Sequence, residues 1–291
     1  MSLWTAIAAD IGQQLRVGCT YSTHQPLAGG DINRAFLLVC GNRRFFVKLN
    51  TVKNAGMFAA EAAGLLALAE SSALRVPRPI CHGTHLEHAY LAMEHLQLRN
   101  SGNQHHAGAA LAELHQLSEP RFGWSQDNTI GTTAQRNDWH DDWADFWSEL
   151  RLGYQLDLAE RAGHARELLP GRELQSRVGE LLRAHKPTAS LLHGDLWRGN
   201  FAFDENGRPV VYDPAVYFGD READLAMTEL FGGFDQNFYA AYRAHWPLPD
   251  GYPLRKTLYN LYHVLNHLNL FGGGYLRQAR TMIDRLLAEL R

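Results

Sequence analysis

Asp195, Asn200 and Asp213 stand in the order and at the spacing that kinase-type phosphoryl transfer requires. They lie in Leu191-Leu-His-Gly-Asp-Leu-Trp-Arg-Gly-Asn200 and in Val210-Val-Tyr-Asp-Pro-Ala215. In such a transfer the entering and leaving oxygens lie in line, and the protein supplies positioning and charge neutralisation. One aspartate, Asp195, orients the acceptor hydroxyl and takes its proton. An asparagine a few residues on and an aspartate beyond the next strand hold magnesium on the ATP phosphates. A loop aspartate is ordinarily a turn or cap residue. The ordered set of three favours the catalytic reading.

Lys48 closes the apolar run Phe45-Phe-Val-Lys48. At the end of a predicted strand its ammonium reaches the α- and β-phosphates, and Glu61 on the next helix would hold it by an ion pair. Gly29 and Gly30 precede the first strand of a hairpin and would let backbone amides approach phosphate oxygens. The segment matches neither GxGxxG nor GxxxxGK[ST]. Met93, Glu94, His95 and Leu96 form the expected hinge whose backbone bonds adenine. ATP and Mg2+ are the cofactors this set implies. His193 is expected to pack against the catalytic loop and hydrogen-bond it, not to act as a base. Asp224 reads equally as a buried acceptor for that loop and as a helix-start carboxylate. The fifteen histidines are scattered, with no HExxH or Cys/His ligand set.

These residues need elements to position them. Leu3, Trp4, Ile7, Ile11 and Leu15 recur at helical spacing. Ala35–Val39 and Arg44–Leu49 flank Cys40-Gly-Asn-Arg43 and read as a β-hairpin. Phe58–Ala69 reads as a helix broken by Val76-Pro-Arg-Pro79, and Ala89–Met93 as a strand. Residues 1–96 are therefore expected to form an α+β, ATP-clamping lobe. Residues 97–291 are expected to form a larger, mainly helical catalytic and substrate-binding lobe, with a cleft between the two. Its predicted helices are Ala107–Gln116, Trp139–Glu160, Leu174–Ala184, Arg221–Phe231, Gln236–Trp246 and Leu254–Phe271. Strands at Asn200–Phe203 and Pro209–Tyr212 bracket the turn Asp204-Glu-Asn-Gly207.

The whole chain is consistent with this division. Its 291 residues exceed the size at which one core usually splits. A formal charge of -3 gives no electrostatic case for nucleic acid or an anionic membrane. Cys19, Cys40 and Cys81 show no CxxC spacing and read as reduced thiols. There is no signal peptide pattern and no long apolar run, so a cytoplasmic, soluble protein is expected. Oligomeric state is not legible.

The chain resembles the fructosamine kinase family, or ketosamine 3-kinases, within the aminoglycoside phosphotransferase and choline kinase superfamily. The resemblance runs over nearly the whole length. It is carried by Leu192-His-Gly-Asp-Leu-Trp197 with Gly199-Asn200, and by Asp213-Pro-Ala215 leading into Gly219-Asp-Arg-Glu-Ala-Asp-Leu-Ala-Met-Thr-Glu-Leu-Phe-Gly-Gly-Phe234. Asp127-Asn-Thr-Ile-Gly131, Phe46-Val-Lys48 and Leu258-Tyr-Asn-Leu-Tyr-His263 add to it.

The resemblance implies a protein-kinase-like two-lobed fold. It also implies ATP-dependent phosphorylation at O3 of fructosamine or ribulosamine adducts of amines or protein lysines, as a deglycation step. It makes Asp195 the base, Asn200 and Asp213 magnesium ligands, and Lys48 a phosphate holder. Trp197, beside the base, is positioned to wall the sugar. Many family members carry a cysteine after Gly-Gly, which can pair between subunits as a redox switch. Here Asp31 follows Gly30, so that switch is expected to be lacking. Arg198 stands where serine is frequent. The rival readings are a kinase of another small alcohol, aminoglycoside- or choline-like, and a nucleotide-binding pseudokinase. The Asp220–Phe234 run speaks against the first and the intact Lys48, Asp195, Asn200 and Asp213 against the second.

Overall fold

The computed structural model describes residues 1–28 and 32–291, so Gly29, Gly30 and Asp31 lie outside the described residues. The first elements are α1 (Leu3–Leu15), β1 (Tyr21–Leu27), β2 (Arg34–Cys40), β3 (Arg43–Thr51), α2 (Ala55–Leu68), β4 (Pro79–His85) and β5 (His88–Glu94). There follow α3 (Gln104–Leu114), β6 (Ser118–Glu119), β7 (Asn128–Ile130), β8 (Thr133–Gln135), α4 (Trp143–Phe146), α5 (Tyr154–Ala159), α6 (Leu169–Ser176) and α7 (Val178–Leu182). The last are β9 (Ala189–Leu192), β10 (Phe201–Phe203), β11 (Pro209–Val211), β12 (Tyr217–Asp220), α8 (Glu222–Leu230), α9 (Gln236–His245), α10 (Tyr252–Phe271) and α11 (Leu276–Ala288). Among the described residues no helix is long and apolar enough to cross a membrane.

The chain divides into two compact units, Met1–Asn103 with Ala202–Pro214, and Gln104–Phe201 with Ala215–Arg291. In the first, an antiparallel sheet runs in the order β1-β2-β3-β5-β4. Ser2 caps α1 by accepting the Thr5 amide at 3.2 Å. The helix then lays Ile7, Ala8 and Ile11 against Phe36, Leu38, Phe45, Val47 and Leu49. Side chains alternate along a strand. Phe45, Val47 and Leu49 therefore face that core, and Lys48 is forced to the opposite face. The β2–β3 turn has Gly41 at φ 60°, the left-handed region that suits a two-residue hairpin.

α2 ends at Leu68, well before Pro77. The Ala69, Glu70 and Ser71 amides close it by bonding Leu65, Ala67 and Leu68 carbonyls. The proline-bearing segment instead feeds β4, a strand the periodicity did not announce. β10 and β11 complete the first unit. Asp204 Oδ1 accepts the Asn206 and Arg208 amides at 2.9 Å each, and Gly207 takes φ 78°. Arg75 and Arg99 bond to this hairpin through their backbones, Arg75 N–H to Pro209 O at 2.8 Å and Arg99 N–H to Phe203 O at 2.7 Å.

The second unit is mainly helical, around a core that includes Trp143, Phe146, Trp147, Leu156, Leu258, Tyr259, Tyr262 and Leu265. The expected helix from Trp139 starts at Trp143, where Asp142 Oδ1 accepts the Ala144 and Asp145 amides. It includes π-helical turns at Trp147–Gly153 and Glu160–His164. The expected helix at 174–184 is two, α6 and α7, parted at Arg177. β9 lies between β12 and β6, with Leu192 opposite Tyr217.

Candidate active site

In the first unit, β3, α2 and the loop after β11 bring three predicted residues together. The Lys48 ammonium donates to Glu61 Oε1 and to Asp213 Oδ1, each at 2.5 Å. Lys48 is 5% exposed, while the Asp213 side chain is 45% exposed. Burial works against the ammonium, but the carboxylates of Asp213 and Glu61 outweigh it, and the Lys48 pKa rises above its ordinary value. Lys48 is therefore charged at any physiological pH. Asp213 sits at φ 58°, a left-handed conformation that aspartate adopts more readily than most residues. The backbone here is shaped to aim one carboxylate.

The Met93–Leu96 segment leaves the end of β5. Met93 is buried. The Glu94 side chain pairs with Arg75, and its N–H is donated to Arg78 O at 2.9 Å. His95 is held below its ordinary pKa by burial and by the Arg44 charge.

In the second unit, the loop after β9 carries Asp195. Asn200 Nδ2 donates to the Asp195 carbonyl at 2.9 Å and to its carboxylate at 3.0 Å. That fixes the amide orientation, with Nδ2 turned to Asp195 and Oδ1 the atom that could hold a cation. His193 is buried, and its Nδ1 accepts the Asp195 amide at 3.3 Å. The imidazole proton is therefore on Nε2, and His193 serves the loop as the sequence suggested. Gly194 takes φ 81°, and a Cβ there would lie 2.0 Å from Ala215 O. Only glycine fits.

Asp224 resolves both of its readings at once. It lies in the first turn of α8, and it accepts the His193 amide at 2.7 Å and the Gly194 amide at 2.9 Å. Buried His115 lies 3.2 Å from the same carboxylate and hydrogen-bonds Tyr242 at 2.7 Å. Burial pushes the Asp224 carboxyl up, but His115, His193 and the Gly194 amide overcome it, and the net shift is downward.

Gln135 and Asn128, to which sequence reasoning gave no role, set the segment after Pro214, with Asn137 and Arg151 behind them. Gln135 Nε2 donates to Ala215 O at 2.9 Å and to Asn128 Oδ1 at 2.8 Å. Asn128 Nδ2 donates to Val216 O at 2.7 Å. Asn137 relays this to Arg151, whose Nη2 donates to Asn137 Oδ1 at 2.8 Å. Arg151 is fully buried, and its guanidinium stacks 4.0 Å from the Tyr217 ring centroid and 4.5 Å from that of Phe146. The only advance signal was Asp127-Asn-Thr-Ile-Gly131, and it gave no role. A His185, Asp220 and Glu222 cluster has metal-like spacing. Its donors are engaged, with Arg255 forked onto Glu222 at 2.6 and 2.8 Å and Tyr259 bonding Asp220 at 2.6 Å.

Comparison with solved structures gives the class. A crystal structure from Haemophilus somnus, assigned as a fructosamine-3-kinase, matches with TM-score 0.88 at 30% identity, over 97% of this chain and 96% of that one. The fold is a kinase-like α+β fold, and the protein is a phosphotransferase. The fructosamine kinase profile matches residues 3–289. A Synechocystis protein assigned as a probable ketoamine kinase is 48% identical over 287 residues, 98% of this chain and 97% of its own. The chloroplastic protein-ribulosamine 3-kinase of Arabidopsis thaliana is 42% identical over 270 residues, 91% of this chain and 82% of its own. This chain belongs to the fructosamine kinase family, and its function is that of a ketosamine kinase.

Proposed function

We propose that the chain transfers the γ-phosphate of Mg-ATP to O3 of ketosamines, the fructosamine and ribulosamine adducts of amines and of protein lysines, and so serves deglycation. The observation that carries the residue assignment is the clamp on Asp195, whose carboxylate is held by Asn200 Nδ2 on a loop anchored by Asp224.

Asp195 aligns the O3 hydroxyl and accepts its proton as O3 bonds to the γ-phosphorus. The bond from that phosphorus to the β-phosphate oxygen breaks, and ADP leaves. Lys48, charged and held by Glu61, neutralises phosphate oxygens. Asp213 and Asn200 each offer a hard oxygen, which suits magnesium. The metal supplies charge neutralisation on the phosphates. Residues 1–96 would act as the ATP-clamping lobe and 97–291 as the catalytic one. Met93, Glu94, His95 and Leu96 would form the adenine hinge; the Glu94 N–H is already donated to Arg78 O, so its carbonyl and the backbone of its neighbours are the groups for adenine. Gly29 and Gly30 retain their proposed role at phosphate, and Trp197 walls the sugar. The cysteines are free thiols, which suits the cytoplasm.

The test is ATP-dependent phosphate incorporation into ribuloselysine and fructoselysine, read by mass spectrometry and phosphorus NMR, with Asp195→Asn as control. A single 3-phosphate product from wild type alone is expected. Measurable Mg-ATP binding with no product on either adduct would redirect the assignment to another small alcohol.

A further inference from the structure

Five aromatic rings of the second unit touch in succession beginning at Trp197, two residues beyond Asp195. The Trp197 and Phe231 centroids are 6.0 Å apart and edge-on. Phe231 and His267 are 5.1 Å apart, His267 and Phe271 5.5 Å, and His267 and Tyr275 5.1 Å. Trp197 is 37% exposed, Phe231 43% and Phe271 55%. Large aromatics are among the strongest contributors to a core when buried, so three exposed rings, linked through the half-buried His267 and Tyr275 and beginning two residues from Asp195, form a surface suited to a ligand. The rings are also held in place. Trp197 lies over Gly199, where a Cβ would come 2.3 Å from the indole, and Phe231 caps α8 ahead of Gly232 and Gly233, both left-handed.

His267 decides what the cluster would bind. Its Nδ1 is 2.7 Å from the His263 carbonyl oxygen. A carbonyl only accepts, so Nδ1 carries the proton and Nε2 presents a lone pair among the rings. Ring faces attract cations, and that lone pair accepts an N–H. The complementary ligand is an alkylammonium.

We propose that Trp197, Phe231, His267, Phe271 and Tyr275 form the subsite for the protonated amine and alkyl arm of the ketosamine. This rests on the ketosamine reading above. The C1 amine lies only a few bonds from O3, as Trp197 lies only two residues from Asp195. The subsite selects sugars carrying an amine over sugars carrying a neutral aglycone. The same preference would favour adducts on lysine side chains.

The experiment compares Nα-acetyl fructoselysine with its ether isostere, in which oxygen replaces the amine nitrogen, as acceptors for wild type, Phe231→Leu, Phe271→Leu and Phe271→Tyr. Wild type should favour the amine in kcat/KM. Each leucine variant should shrink that preference roughly three- to tenfold, chiefly through KM. Phe271→Tyr should keep it, because the ring face remains. Phe271 is exposed, so its variants should melt as wild type does. An unchanged preference in both leucine variants, or equal weakening of both acceptors, would overturn the subsite. Wild type acting on both acceptors alike overturns the subsite and leaves the ketosamine reading standing. Activity on neither overturns both.

Discussion

Gly194 and Asp224, thirty residues apart, are joined by a 2.9 Å bond from the glycine amide to Asp224 Oδ1. The second oxygen of the same carboxylate takes the His193 amide. Two consecutive loop amides thus converge on one buried anion, and the residue after them is Asp195. Charge-assisted bonds of this kind are about twice as strong as neutral ones. The loop geometry is therefore set before any substrate arrives, the condition under which positioning is effective.

Asp224→Asn should cost about 3 kcal/mol of unfolding free energy, because it leaves His115 and one loop amide without their acceptor in a buried site. Turnover should fall with it. Urea unfolding and initial rates on the same preparation check both, and unchanged stability would contradict the anchoring role.

Gly194→Ala faces two obstacles, a left-handed φ and a Cβ 2.0 Å from backbone oxygen. The loop must move away from Ala215, and a loss of more than about 2 kcal/mol is expected. Gly179→Ala is the matched control. Nothing lies within 4 Å of its Cβ, and it should be neutral or mildly stabilising.

Asp195→Asn should lower kcat by several orders of magnitude while leaving ATP affinity within about threefold, since it removes alignment of the acceptor and no phosphate contact. Single-turnover kinetics with a parallel nucleotide titration separates the two. Near-wild-type turnover would remove Asp195 from the mechanism.

His263 makes stability depend on pH. It is buried on α10, and burial, reinforced by His267, lowers its pKa to about 3 against the pull of Asp224. Unfolded histidine titrates near 6.5. Between those values the unfolded chain binds the extra proton, so stability is full above about 6.5 and falls as pH drops through the window. Moving from pH 7.5 to 5 should remove about 2 kcal/mol through this residue alone. His263→Gln should lose correspondingly less over the same interval. Identical pH slopes for the two proteins in urea titrations would contradict the burial account.

The two hairpins were legible because period-two alternation and glycine-bearing turns act locally. The Lys48–Glu61 ion pair was expected, and Asp213 was picked out separately. That Asp213 also reaches Lys48 depended on strand parity and on the left-handed Asp213 backbone, neither of which a motif records. β1 went unseen because it is an edge strand, exposed along most of its length and carrying Pro26. α11 was overlooked although Ala279, Ile283 and Leu286 recur at helical spacing and are buried. Arg151 and Gln135 had no local signature. A buried polar residue looks like a surface one until its partners are known, and those partners come from sequence up to 127 residues away.

The first unit is not a continuous stretch of gene. Its sheet is encoded before residue 95, yet Ala202–Pro214 belongs to it as well, and the backbones of Arg75 and Arg99 are paired with that later insertion. A fragment ending at Asn103 would leave those amides unpaired and would lack Asp213, the partner of its own Lys48. The chain therefore has no single cut at which the first unit could be separated, fused or expressed alone.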